Sequence, residues 1–133
     1  LVGSEMCIRD RDYSYLSIRK AGDKFILQQA VCKDAERQNP EQVKELASIP
    51  VEYLKMPGVA DNEWKTVYLR AKVRIGAVCT FAYSLDGEKY TTVGEAFTAR
   101  QGKWIGAKVG VFCVTPNEGN RGWADIDWFR MTK

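Results

Sequence analysis

Residues 67–75 read V-Y-L-R-A-K-V-R-I, the clearest alternation in the chain. Val67, Leu69, Ala71, Val73 and Ile75 fall on one side of an extended backbone, and Tyr68, Arg70, Lys72 and Arg74 on the other. A repeat of two belongs to a strand and is incompatible with a helix, whose faces recur every three to four residues. The strand so formed is apolar on one face and basic with an aromatic tip on the other. A second layer must therefore cover its apolar side.

The same period runs through most of the chain from residue 12 onward. Tyr13, Tyr15, Ser17 and Arg19 alternate with Ser14, Leu16 and Ile18, and the turn cluster Ala21-Gly22-Asp23-Lys24 sends the chain back along 25–33 as a hairpin. The polar stretch 34–42 contains Pro40 and reads as a loop; 43–49 could be a short helix by composition, but Pro50 and the β context favour a short strand, and 51–56 read as a short strand or an irregular crossing. Further strands are expected at 77–85, 89–94, 104–115 and 123–131, with Asp86-Gly87 supplying the positive φ angles of a tight reversal between the first two. About eight short strands joined by turns, with no amphipathic helix, predict an all-β fold, an antiparallel β-sandwich. At 133 residues the chain has room for one such domain.

Composition narrows the chemistry more than any motif does. Histidine is absent, which removes the commonest general base, the commonest metal ligand and any Ser-His or Cys-His pair. Twenty basic against 17 acidic residues leave a net charge of +3 spread along the chain, too little for a phosphate-tracking stripe, so no nucleic-acid partner is expected. No apolar run approaches a membrane span, and no membrane partner is expected either. The cysteines, Cys7, Cys32, Cys79 and Cys113, form no C-x-x-C pair. Cys32, Cys79 and Cys113 sit in apolar runs and read as buried thiols, with a disulfide between two of them as the other reading.

Two sets of side chains carry possible function. Aromatic rings stack on the C–H faces of sugars while charged neighbours bond the hydroxyls, and the face bearing Tyr68 and Arg70 has that composition. Trp64 and Trp123 border polar loops, where they serve either the core rim or a contact surface; Trp104 and Trp128 alternate with smaller residues and read as core. Asp125 and Asp127 share one face of the last strand, a spacing open to an acid–base pair, a structural Ca²⁺ site or bonds to neighbouring backbone and arginines. Without a third oxygen donor they fall short of a metal site, so no cofactor is expected.

Several blocks in order carry a family resemblance: D-Y-S-Y-L at 12–16, V-C-K-D-A at 31–35, V-Y-L-R at 67–70, F-A-Y-S-L-D-G at 81–87, G-K-W-I-G-A-K-V-G at 102–110 and W-A-D-I-D-W-F at 123–129. Together they resemble the C-terminal concanavalin A-like (jelly-roll) module of family 43 glycoside hydrolases, the β-xylosidases and α-arabinofuranosidases. The resemblance implies a parent chain whose five-bladed propeller carries the catalytic carboxylates, with this module packed beside the cleft that takes the oligosaccharide substrate. No catalytic residue of the propeller maps onto this sequence. The expected function is thus that of a non-catalytic accessory module of an enzyme acting on xylan or arabinan. An autonomous carbohydrate-binding module is the alternative, and a self-contained enzyme would have to rely on Asp125, Asp127 and Glu95.

Residues 1–10, L-V-G-S-E-M-C-I-R-D, show neither strand alternation nor a helical stripe and resemble translated adapter read-through. They read as a non-native leader, with a native but irregular lead-in as the alternative. Residues 11–133 read as the module, short of a strand or two at its N-terminal end.

Overall fold

A computed structural model of the chain describes residues 2–6, 12–55, 66–101, 108–115 and 123–133. Its strands are β1 (Val2–Met6), β2 (Tyr13–Ala21), β3 (Lys24–Cys32), β4 (Gln42–Pro50), β5 (Tyr68–Arg74), β6 (Val78–Ser84), β7 (Thr91–Thr98) and β8 (Val109–Cys113). They form two antiparallel sheets, one ordered β4-β3-β2-β1-β8 and the other β5-β6-β7. The antiparallel all-β sandwich expected from the alternation is the fold observed.

Leu16 and Leu27 from the larger sheet meet Phe81 from the smaller one, all three with at most 1% of their surface exposed. Leu46, Ala47, Leu69, Ala71, Tyr83 and Val93 pack around them. A second cluster joins Cys79 and Phe97 to Val31 and Ala99. Burial holds the Cys79 thiol above its usual pKa, so it stays protonated and behaves as a small hydrophobe.

Polar side chains fasten the layers where the ladder is interrupted. The β6–β7 register shifts between Cys79 and Phe81, which leaves 94–96 bulged opposite Thr80. Gln29, buried in β3, takes up the backbone groups the bulge frees: its Oε1 accepts the Glu95 N–H at 2.8 Å and its Nε2 donates to the Glu95 carbonyl at 2.9 Å. A side-chain amide thus replaces a missing ladder partner across the sandwich. Elsewhere Asp12, with 3% of its side chain exposed, receives Nε and Nη2 of Arg100 and the Asp34 N–H at 2.9 Å. Arg100 in turn holds the Asp12 carboxyl below its usual pKa.

The outer face of the larger sheet is tied to itself. Tyr13 and Tyr15 stack with ring centroids 6.3 Å apart, and their hydroxyls donate to the two oxygens of Glu41 at 2.9 and 2.6 Å. Arg19 donates to Gln28 and Glu45 beside them.

The Tyr13–Lys33 hairpin forms as expected, turning at Gly22 with φ +62°. Four local expectations are corrected. Residues 51–54 do not form a strand: Pro50 closes β4, the Val51 N–H donates to the Asp23 carbonyl, and Val51–Leu54 makes one helical turn, α1, while residue 56 lies outside the described residues. Val2–Met6, expected to lack regular structure, pairs with β2 on one side and β8 on the other. Strand pairing uses backbone groups that every residue but proline carries, so it does not require side-chain alternation. Residues 123–131 do not form a ladder with any described strand. Cys113 is exposed rather than buried, although no described cysteine is in a disulfide. Of the expected strand 104–115, the Val109–Cys113 part is observed and 104–107 lie outside the described residues.

Candidate functional site

The smaller sheet presents the surface that the alternation singled out. Leu69 and Ala71 turn inward onto the Leu16–Leu27–Phe81 cluster, which sets Tyr68, Arg70, Lys72 and Arg74 on the outer face of β5. Arg70, Lys72 and Arg74 are exposed and Tyr68 is half-buried. The Arg70 guanidinium lies over the Tyr90 ring, its Cζ 3.3 Å from the ring centroid, close enough for a cation–π contact. Tyr68 sits against Gly87, where an added Cβ would come within 3.0 Å of the ring, and its centroid is 6.2 Å from that of Trp128. The Arg130 guanidinium lies over the Trp128 ring, its Cζ 5.1 Å from the ring centroid.

Tyr90 reaches this face because of the loop before it. Rather than a two-residue Asp-Gly turn, six residues, 85–90, connect β6 to β7. Asp86 Oδ1 accepts from the Ser84 hydroxyl at 2.7 Å and from the Glu88 and Lys89 N–H groups at 2.9 Å each, while Ser84 Oγ accepts the Gly87 N–H at 2.9 Å. The Ser84 hydroxyl, followed by those N–H groups, pulls the Asp86 carboxyl down to about 2. Gly87 alone of the pair takes positive φ, at +78°. Tyr83 pairs with Thr91. A two-residue turn at 86–87 would have set Tyr90 against Tyr83, on the inner face; the one-residue difference sends Tyr90 outward beside Arg70.

Of the residues singled out in the sequence, the structure brings Tyr68 and Arg70 together on one face. Trp64 lies outside the described residues. Trp123 is 64% exposed on the C-terminal segment and Trp128, read as core, is 53% exposed against Tyr68. Trp128 and Tyr90 are the contact-face residues that the sequence reading missed. Asp125 and Asp127 are both exposed; Asp127 Oδ2 accepts from the Thr66 hydroxyl at 3.3 Å. Among the described residues no three His, Cys, Asp or Glu side chains converge as metal ligands would. Glu95 pairs with Lys44 at 2.9 Å, and that bond lowers its pKa. A pocket of about 200 Å³ opens beside this face, lined by Tyr83, Ser84, Leu85, Asp86, Lys89 and Thr91.

The face therefore offers aromatic rings set among guanidinium and ammonium donors. Rings of this kind stack on apolar C–H surfaces, and the cations bond hydroxyl or carboxylate oxygens. The family model for the β-xylosidase C-terminal concanavalin A-like domain matches residues 5–132. The chain belongs to this family. A curated β-xylosidase from Formosa agariphila is 35% identical over 63 residues, which is 47% of this chain and 10% of that protein. The chain thus matches about a tenth of the length of its curated relative. No solved structure matches it. Membership of the β-xylosidase C-terminal family, a concanavalin A-like domain, accounts for the all-β sandwich without assigning chemistry to any residue of the outer face.

Proposed function

We propose that this chain is the accessory module of a family 43 glycoside hydrolase acting on xylan- or arabinan-type oligosaccharides. It packs on a five-bladed catalytic propeller carried by the same parent chain and helps to shape the substrate site from one side. The observation that carries this reading is the family match across 5–132, to a domain described as the C-terminal part of β-xylosidases. The relative named β-xylosidase, of which the matched segment is a tenth, supports the same reading. Tyr68 and Arg70, with Trp64 and Trp123, are the residues proposed to meet sugar.

The side-chain chemistry favours an accessory role over catalysis. A glycosidase needs one carboxyl raised in pKa to act as general acid. Asp12, Asp86 and Glu95 are all shifted the other way, each by hydrogen bonds to its charged form. With no histidine in the chain, no imidazole is available as a substitute. The exposed rings of Trp123 and Trp128 favour a second reading, that of an autonomous carbohydrate-binding module.

Titration of the purified chain with xylo-oligosaccharides separates the two. The accessory reading predicts no saturable binding by the chain alone. Saturation that is lost in Trp123→Ala or Trp128→Ala would establish the second reading, and release of aryl aglycone from an aryl-β-xyloside would overturn both.

A further inference from the structure

The outer face of β5 carries charge of one sign. Arg70, Lys72 and Arg74 follow one another at alternate positions, about 7 Å apart along the strand, and all three are exposed. Elsewhere on the sandwich, cations are matched to acids: Arg19 to Glu45, Lys44 to Glu95, and Arg100 to Asp12 and Asp34. Among the described residues, none of Arg70, Lys72 and Arg74 has an acidic partner. The chain is not short of acids, with 17 Asp and Glu against 20 Lys and Arg. A row of like charges repels itself and draws anions toward it.

The cations stand beside a low strip. Across the ladder from Arg70, Lys72 and Arg74 lie Ala82, Thr80 and Val78 on β6, and beyond Ala82 lies Thr92 on β7. Residues opposed across a ladder share a face, so short, uncharged side chains floor a trough with long cations along one wall. Arg70 crosses this strip to rest on the Tyr90 ring. It divides a ring end, where Tyr68 meets Trp128, from a cation end at Lys72 and Arg74. From Tyr68 to Arg74 the strand runs about 20 Å, a length that suits an oligosaccharide better than a single sugar.

We propose that this trough binds an oligosaccharide bearing carboxylates, a xylan-type chain substituted with uronic acid. Neutral units lie on Tyr68 and Trp128, and a uronate carboxylate takes hydrogen bonds from Lys72 and Arg74. The inference rests on reading this face as a sugar-contact surface, and it names what that sugar carries. Rings and cations together select the ligand. A neutral sugar uses the rings and leaves the cations unpaired, whereas an acidic protein surface uses the cations and has no need of the rings. The arginine fork matches a carboxylate in shape as well as charge. At the ring end Arg130 over Trp128 and Asp127 on Thr66 offset one another, so the unbalanced positive charge lies at Lys72 and Arg74.

Calorimetric titration of the purified chain tests this with four probes: xylotetraose, xylotetraose bearing one glucuronic acid, the same compound with its carboxyl reduced to the alcohol, and a short glutamate peptide. Only the glucuronic acid compound is expected to saturate the chain, and added salt should weaken that binding. Silence toward the neutral sugars is what the accessory role already predicts. The pair Lys72→Gln and Arg74→Gln is expected to weaken binding at least about tenfold with the melting temperature unchanged, since both side chains are exposed. Lys24→Gln, on the other sheet, should leave binding as it was. No binding of the acidic compound overturns the proposal, as does equal affinity for its reduced form or full binding by the Lys72, Arg74 variant. A glutamate peptide bound as tightly also overturns it, by making the face a docking surface for acidic protein. Association with the catalytic part is measured separately, so a chain that associates yet ignores the uronate refutes this inference alone.

Discussion

Gly94 and Gln29 show how one residue type can decide whether the layers close. Gly94 adopts φ +73°, and a Cβ added there would overlap Gln29 Oε1, the atom that receives the Glu95 N–H. Alanine at 94 meets two costs, the left-handed backbone and the loss of the Gln29 clip, which together come to about 2–4 kcal/mol. Gly22 provides the comparison, since it is also left-handed, at +62°, but has nothing within 4 Å of its absent Cβ. Gly94→Ala is expected to lower the urea midpoint well beyond Gly22→Ala, with the slope unchanged. Equal effects would show that the clip contributes little. The sequence places Gly94 at the end of a strand but does not mark it as the neighbour of Gln29, because the Gln29–Glu95 clip spans 66 residues and depends on the sandwich being closed.

At the scale of elements, the 85–90 loop sets the register of β7 and so decides which side chains join the outer face. Its core is the Asp86 carboxylate, whose pKa lies near 2 instead of the ordinary 3.8. A depressed carboxyl contributes stability that is present above its unfolded pKa and is lost as pH falls through its folded one. Asp86→Ala is therefore expected to lower the melting temperature at neutral pH, and the gap from the unsubstituted chain should narrow as pH falls from about 4 to about 2. A gap independent of pH would mean that the charged form is not what holds the loop. This element also marks the limit of what the sequence makes legible. Alternation in 67–75 and 13–19 identifies β5, β2 and their buried faces, because burial is imposed residue by residue along a strand. The Asp-Gly pair correctly marks a reversal but not its length, since Ser84 and Asp86 together cap a longer loop than the dipeptide requires. Residues 123–131 alternate as a strand does and still form no ladder with any described strand, since alternation by itself does not choose a partner.

For the molecule as a whole, the sandwich supplies a two-layer body with a basic and aromatic outer face, and hydrogen bonds hold the Asp12, Asp86 and Glu95 carboxyls below their usual pKa. Tyr68, Arg70, Tyr90 and Trp128 come together from β5, the 85–90 loop and the C-terminal segment, a convergence that no single stretch of sequence contains. The most direct test is calorimetric titration of the purified chain into the separately produced catalytic part of its parent, followed by assay of aryl-β-xyloside hydrolysis by the mixture. Saturable association, with kcat/KM of the mixture above that of the catalytic part alone, is the predicted result. No heat of binding and unchanged kcat/KM would contradict the account.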